Sequence, residues 1–367
     1  MEQTGFSLKK DSVYTVTFAA RTDTPKTITV TAMRDNSPYT YYAGQNYSLT
    51  TEWQVYTFNF RPTEDNSIEG RLSFQFDNNK GNYWFDEISL VKTSYKGLLA
   101  GESLKNNSVK RISYAECPVY ADNRVKDMAE FYIDLQIDFF NNMKSYLKDT
   151  LGVKVPITGT NWNIGAGDLI SQSVMDYMDN HSYWDHPSFP DIPWSSTDWY
   201  IQNKPMVNAA DGGTIPGLFG GVGITGKPFT VSEYNHAYPN IYQSEGVLFL
   251  AAYSSFHDVD GIMFFDYASS ADAWQQDVVN GYFDLNRNNI MMSLMPSCSF
   301  AFRNNLISKA NQTIELNYTK DTVLILPKVN TNYTPLYFSP KLALLHEVRN
   351  ASFSSASSSD FSQLIRL

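Results

Sequence analysis

At 367 residues the chain is too long for one compact core and fits two or three domains. Aromatic residues reach 15%, with 24 Tyr and 23 Phe, and charged residues only 18%, which excludes a disordered or coiled-coil protein. A formal charge of -10, with no run of Lys or Arg, makes nucleic acid and anionic membrane poor partners.

Cys117 and Cys298 are too few for a disulfide framework or a metal cluster; one bridge and two buried thiols are both open. No His, Cys and carboxylate spacing matches a metal site, and DGGTIPGLFGGVG lacks the lysine of a phosphate loop, so neither metal nor cofactor is expected. No stretch approaches the roughly 20 apolar residues of a membrane span. The start, MEQTGFSLKKDSVYTVTF, has no secretion-signal shape.

From Tyr14 to Leu90 the apolar residues alternate: Tyr14, Val16, Phe18 and Ala20, then Ile28 and Val30, Tyr56, Phe58 and Phe60, Leu72, Phe74 and Phe76, and Phe85, Ile88 and Leu90. Period-two segments broken by RTDTPKT, RDNSPYT and PTEDNS predict an antiparallel β-sandwich of five or six strands over residues 1–95. Trp53, Trp84 and Tyr39, Tyr41 and Tyr42 read either as a sugar platform or as ordinary cross-strand pairs.

Residues 96–121 are polar and irregular, a linker. Beyond them Val125, Met128, Tyr132, Leu135, Phe139, Met143 and Leu147 fall at helical spacing, closed by Gly152. There follow a predicted strand at VKVPITGTNW, a helix near 166–178, a strand at YMDNHSYW, a Trp-, Pro- and Gly-rich loop, and the strand KPFTVSEYNH. A helix near 241–257, the strand DGIMFFDYA and a helix near 287–303 complete an alternating α/β region with a parallel sheet over residues 122–311. The tail, 312–367, reads as a small β extension built from TIELNY, DTVLILP and LALLHEV.

Polar and aromatic residues collect at the C-terminal ends of the four α/β strands, which in a parallel barrel open onto one face. They are Asn161 and Trp162; His181, Tyr183 and Trp184; Glu233, Asn235 and His236; and Asp266, with Trp274 just beyond. Trp rings stack on sugar faces, and His, Tyr and Asn bond hydroxyls or hold a carboxylate. Glu233 ends an otherwise apolar and hydroxylated strand, where a charge has to be solvated, paired or used. In these surroundings it is the candidate nucleophile of covalent glycoside hydrolysis, and the others are candidate substrate contacts. Glu116 in SYAECPVY and Asp185 in SYWDHPSFP are the candidate acid/bases, although an Asp in such a Pro-containing loop is more often only a turn-maker.

KPFTVSEYNH followed by a helix and DGIMFFDYA resembles strands seven and eight of the cellulase-like (β/α)8 glycoside hydrolase superfamily, while LGVKVPITGTNW and DYMDNHSYWDHPSFP resemble its strands five and six. The resemblance implies a TIM-barrel-type fold, a retaining mechanism with Glu233 as nucleophile, His181 and Tyr183 as subsite residues, and Trp162 and Asp266 as substrate contacts. DSVYTVTFAARTD, TEWQVYTFNF and NYWFDEISLV resemble a carbohydrate-binding β-sandwich attached to or inserted in such enzymes, whose opening strands would lie before Met1. The family's acid/base, a Glu after Asn on strand four, has no counterpart here, nor do strands one to four. The chain thus resembles the C-terminal portion of a larger enzyme acting on a β-linked polysaccharide, extracellular or periplasmic by its substrate class. Two other readings stand beside this one: a non-catalytic carbohydrate-binding protein, and a half-barrel that assembles with another chain.

Overall fold

A computed structural model describes residues 1–76, 79–163, 165–271, 277–279, 281–329 and 340–359. They form two units, residues 1–128 with 327–329, and residues 129–326 with 340–359.

The first unit is the expected antiparallel sandwich, with seven strands. β1 (Glu2–Leu8), β6 (Asn66–Gln75), β3 (Lys26–Arg34) and β4 (Tyr41–Leu49) lie in that order in one sheet. β5 (Gln54–Phe60), β2 (Val13–Thr22) and β7 (Tyr83–Thr93) form the other. The period-two pattern places Val16, Phe18 and Ala20 of β2 inward against Ile28 and Val30 of β3, all fully buried. Phe18 is central, its ring 5.1 Å from Phe74 and 5.3 Å from Tyr56; burying such a side chain contributes about 1.5–3 kcal/mol. Pattern reading misses two strands: β4, whose apolar residues are few, and β1, an edge strand that pairs with β6 through register shifts around Gly5.

The stretch read as a linker is fixed in place. Glu102 accepts from the backbone of Leu99 and Lys110 and from both terminal nitrogens of Arg124. Cys117 packs with Val13, Ile112 and Val119, and its thiol is free, as is that of Cys298.

Helix α1 (Asp122–Ser145) runs into a wider π turn at Tyr146–Thr150. In the second unit β8 (Met178–Trp184), β9 (Phe229–His236) and β10 (Gly261–Ile262) form a parallel sheet in the order β10-β9-β8. Helices α2 (Ala166–Gln172), α3 (Ile215–Phe219), α4 (Ser244–Phe256) and α5 (Asn289–Arg303) punctuate it. Met178, Val231, Tyr234, Phe219 and Leu250 pack the core between sheet and helices.

Four expectations are corrected here. VKVPITGTNW is not a strand: Pro156 has no N–H, and neighbouring backbone groups are met locally, Ile157 N–H by Asp176 Oδ2 at 2.9 Å and Thr160 N–H by Gln172 Oε1 at 3.2 Å. DGIMFFDYA is a strand for two residues only, although Met263 and Phe265 still donate to Val231 and Tyr234 and carry the chain along β9 as far as Asp266. DTVLILP is helix α6 (Lys320–Val329), because Thr319 Oγ1 caps Thr322 N–H at 3.0 Å and Val323, Leu324 and Leu326 turn inward together. TIELNY supplies β11 (Thr313–Asn317), but LALLHEV begins in a 3-10 turn, Pro340–Leu344, and gives only its last two residues to β12 (Glu347–Ser352), which pairs with β11 in parallel. Among the described residues the second unit has this pair and the three-stranded sheet β10-β9-β8, and no closed (β/α)8 barrel is formed.

Candidate functional site

The site follows from strand parity. β8 and β9 run side by side with His181 opposite Glu233 and Tyr183 opposite Asn235. Alternate residues point the same way, so His181, Tyr183, Glu233 and Asn235 share one face, while Trp184, Tyr234 and His236 belong to the other. The first face forms the floor of a cavity of about 1100 Å³.

Glu233 is held at both oxygens. Asn161 Nδ2 donates to Oε1 at 2.8 Å and the Tyr183 hydroxyl to Oε2 at 2.8 Å. Burial, and then the bond to Glu233, push the Tyr183 phenol far above its ordinary range, so it remains a donor. Asn161 is itself located by its carbonyl, which accepts from His181 Nδ1 at 2.7 Å. Since a carbonyl can only accept, Nδ1 carries the hydrogen, and a neutral His181 has Nε2 as acceptor.

The walls are aromatic. Trp162, 67% exposed, stands edge-on to His181 with 5.6 Å between centroids. Trp194 and Trp199 come from the loop after β8, where Trp199 meets Tyr282 at 4.8 Å and Trp194 meets His186 at 5.5 Å. Rings set around a carboxylate in a cavity of this size can hold the apolar faces of sugar units.

Asp185 organises that loop. In the left-handed conformation (φ 54°) its oxygens accept from Gln202 N–H and Asn203 N–H, each at 2.8 Å, and from Asn240 Nδ2 at 2.9 Å. With three donors on a buried carboxylate, the turn-making reading holds and the acid/base reading does not. Glu116 belongs to the first unit, where it accepts from Ser113 N–H at 2.9 Å and Ser113 Oγ at 2.6 Å; it is not among the cavity's residues.

Three expected contacts are structural instead. Trp184 is buried on the opposite face, donating to the Lys204 carbonyl at 2.9 Å with the Lys204 ammonium 4.9 Å from its ring. His236 is fully buried beside Tyr234, whose oxygen is 3.0 Å from Nε2, and burial drives it down to about 3. Asn235 points the right way but is spent on the chain: its Nδ2 donates to the carbonyls of Phe265 and Phe283 at 2.6 and 2.7 Å. Trp274 lies outside the described residues.

Asp266 does line the cavity, and beside it is a residue that pattern reading passed over, Asp284. Asp284 is 1% exposed and accepts from Ser269 N–H at 2.9 Å and Ser269 Oγ at 3.1 Å. Burial and the adjacent Asp284 carboxyl raise Asp266 above the usual carboxylate range. Tyr282 and Phe283, also on the cavity, were equally silent in the sequence, since they follow no strand.

Comparison with known proteins bears on the N-terminal unit. Residues 1–81 match the family described as "Carbohydrate binding domain", a match that takes in β1 to β6. A solved structure described as "CBM4 structure and function" is 28% identical, with 25% of this chain and 59% of that one covered and a TM-score of 0.23. The N-terminal cellulose-binding domain of β-1,4-glucanase C from Cellulomonas fimi is 18% identical over 26% of this chain and 69% of that one, TM-score 0.23. A xylan-binding domain from Paenibacillus barcinonensis is 14% identical over 23% and 58%, TM-score 0.20. No curated protein matches. The chain spans 59% of the first of these structures. The family match supports the sandwich as a carbohydrate-binding module.

Proposed function

We propose that the second unit is the glycosidase-type portion of a polysaccharide-degrading enzyme, derived from a (β/α)8 barrel, and that the sandwich holds it on its glycan. Glu233 attacks the anomeric carbon, forms a glycosyl ester, and water releases the sugar with retained configuration. The observation that carries this reading is the clamping of Glu233 by Asn161 and Tyr183 at the floor of an aromatic cavity. Two donors keep the carboxylate oriented, and burial of the phenol keeps its proton in place. Trp162, His181 and Asp266 serve as substrate contacts, and an extracellular or periplasmic location goes with a polymeric substrate.

The test is covalent. A 2-deoxy-2-fluoro-β-cellobiosyl or -xylobiosyl fluoride is expected to label the chain at Glu233, found by peptide mass spectrometry, and Glu233→Gln is expected neither to be labelled nor to turn over aryl β-glycosides. Turnover that is unchanged in Glu233→Gln refutes the nucleophile. Binding of β-glucan, xylan or mannan with no turnover at all favours the purely binding protein.

A second reading, completion of the half-barrel by another chain, is favoured by the exposure of Phe131, Leu135 and Phe139, one turn apart on α1. A strict monomer by light scattering at working concentration counts against it.

A further inference from the structure

Double displacement at an anomeric carbon needs a second group that gives a proton to the departing oxygen and later takes one from water. Of the two carboxylates that the sequence offered for this work, Asp185 has its oxygens occupied by three donors and Glu116 closes a helical cap in the other unit. The cavity itself supplies an alternative. Besides Glu233 it is lined by two acids from the segments after β10, Asp266 and Asp284, and by no third within the described residues.

The two acids differ in their surroundings. Asp284 is buried and receives both Ser269 donors, an arrangement that stabilises an anion. Asp266 faces it with Oδ1 buried and without any donor, an arrangement that an ionised carboxyl tolerates poorly. Two carboxyls placed together cannot both ionise cheaply, and their environments decide which retains the proton. Of the two, Asp266 is the one whose surroundings favour the protonated form. The other groups around it point the same way: Tyr183 on β8, which feels the Asp266 charge, is a neutral phenol, and Glu233 on β9 opens onto the same cavity as a further carboxylate. Among the described residues no Lys or Arg lines the cavity to stabilise an Asp266 anion. The ligand side of the site is independent of the acids, since Trp162, Trp194, Trp199 and Tyr282 give the cavity its sugar-sized aromatic walls.

We propose that Asp266, paired with Asp284, is the proton donor and acceptor of the site. The assignment rests on the glycosidase reading above. As Glu233 bonds to the anomeric carbon, the bond to the glycosidic oxygen breaks and its electron pair stays on that oxygen, which takes the proton of Asp266. The resulting Asp266 carboxylate then removes a proton from the water that attacks the glycosyl ester, so both residues return to their starting states. Asp284 acts through Asp266 and is a positioning residue.

The test compares leaving groups in the full chain. With 2,4-dinitrophenyl β-cellobioside or β-xylobioside, whose departing phenolate needs no proton, Asp266→Asn is expected to cleave the glycosidic bond at close to the wild-type rate. With the phenyl glycosides it is expected to lose about 100-fold or more in kcat/KM, the range usual for general acid catalysis. Sodium azide is expected to restore turnover of the dinitrophenyl substrate and to give the β-glycosyl azide, a product that a merely misfolded variant cannot make. Asp266→Glu keeps the carboxyl and is expected to recover part of the phenyl glycoside rate. In Asp284→Asn the alkaline limb of the kcat/KM profile is expected to move to lower pH, because the neighbour that held the proton on Asp266 has lost its charge. Equal losses of Asp266→Asn on both leaving groups with no azide product, or an alkaline limb unmoved by Asp284→Asn, overturn the assignment while Glu233 stands. If wild type cleaves no aryl glycoside and is not labelled at Glu233, the glycosidase reading falls and takes this one with it.

Discussion

Tyr183 and Glu233 sit on neighbouring parallel strands, and the phenol of the first donates to Oε2 of the second at 2.8 Å. The register makes this possible: His181 is the direct neighbour of Glu233, and Tyr183, two residues on, leans back over the carboxylate from the same face. Tyr183→Phe keeps the ring, which lies 4.6 Å from Phe283, and removes only the donor. The expected result is a fall in kcat of about 10- to 100-fold on aryl β-glycosides, from loss of one charge-assisted hydrogen bond worth about 1.5–3 kcal/mol. Thermal unfolding should shift little, and an unchanged kcat would remove Tyr183 from the machinery.

Trp162 tests the walls rather than the floor. Its ring is 67% exposed, so Trp162→Ala leaves no hole in the core and should alter stability by less than about 0.5 kcal/mol. If the ring stacks on a sugar, KM for oligosaccharides rises about 10-fold while kcat on a short aryl glycoside is kept. A KM unchanged across chain lengths would make Trp162 a bystander.

The same parity explains what was legible in the sequence. Alternation in Val16, Phe18 and Ala20 was enough to reveal the sandwich, because a two-sided sheet writes its core into every second residue. At β8 and β9 the grouping of residues by strand end captured Glu233, His181 and Tyr183 but swept in Trp184 and His236, which the period of two places on the opposite face. Counting parity from Glu233 would have removed His236, and parity from Tyr183 would have removed Trp184. Asn235 has the right parity, and its use as a brace for Phe265 and Phe283 depends on backbone positions that no local pattern encodes. Asp284 was invisible for a related reason: it lies in an irregular segment, and only the path of the chain after β10 brings it to Asp266. The confusion at α6 is of another kind, since a short apolar run such as VLIL fits strand and helix equally, and the Thr319 cap decides it.

Gly246 on α4 offers a contrast in packing. A Cβ there would come within 2.7 Å of Cδ2 and 2.9 Å of Cγ of the His236 ring, which is wholly buried and has nowhere to move. Gly217 on α3 has open space where its Cβ would be. Alanine is the better helix former by about 1 kcal/mol in both places. Gly217→Ala should therefore stabilise the protein slightly, and Gly246→Ala should destabilise it by about 1–3 kcal/mol through overpacking. A urea titration in which Gly246→Ala is as stable as wild type, or more so, would show that α4 does not approach β9 this closely.

Two buried histidines set the response of the fold to mild acid. Burial lowers His236 to about 3 and His257, bonded to the Ala343 carbonyl at 2.8 Å, to about 4, against about 6.5 for an unfolded histidine. Both are neutral in the folded chain when the unfolded chain has already begun to take up protons. Below about pH 6.5 the unfolded state is therefore favoured progressively, and the loss ceases only where the folded histidines titrate, near 4 and 3. Carboxylates act lower: Asp176, held down to about 2 by Lys144 with further help from the Ile157 N–H, contributes stability above its unfolded value near 3.8 and loses it as pH falls towards 2. Between pH 6 and 4.5 the histidine contribution is thus separable. Each one adds a slope approaching 1.4 kcal/mol per pH unit, and His236→Gln removes one of the two. Denaturant titrations across that interval should give a stability curve about 1 kcal/mol per pH unit shallower for the variant, whatever its own cost at pH 7. Parallel curves for wild type and His236→Gln would mean that His236 is protonated in the folded state as readily as in the unfolded one.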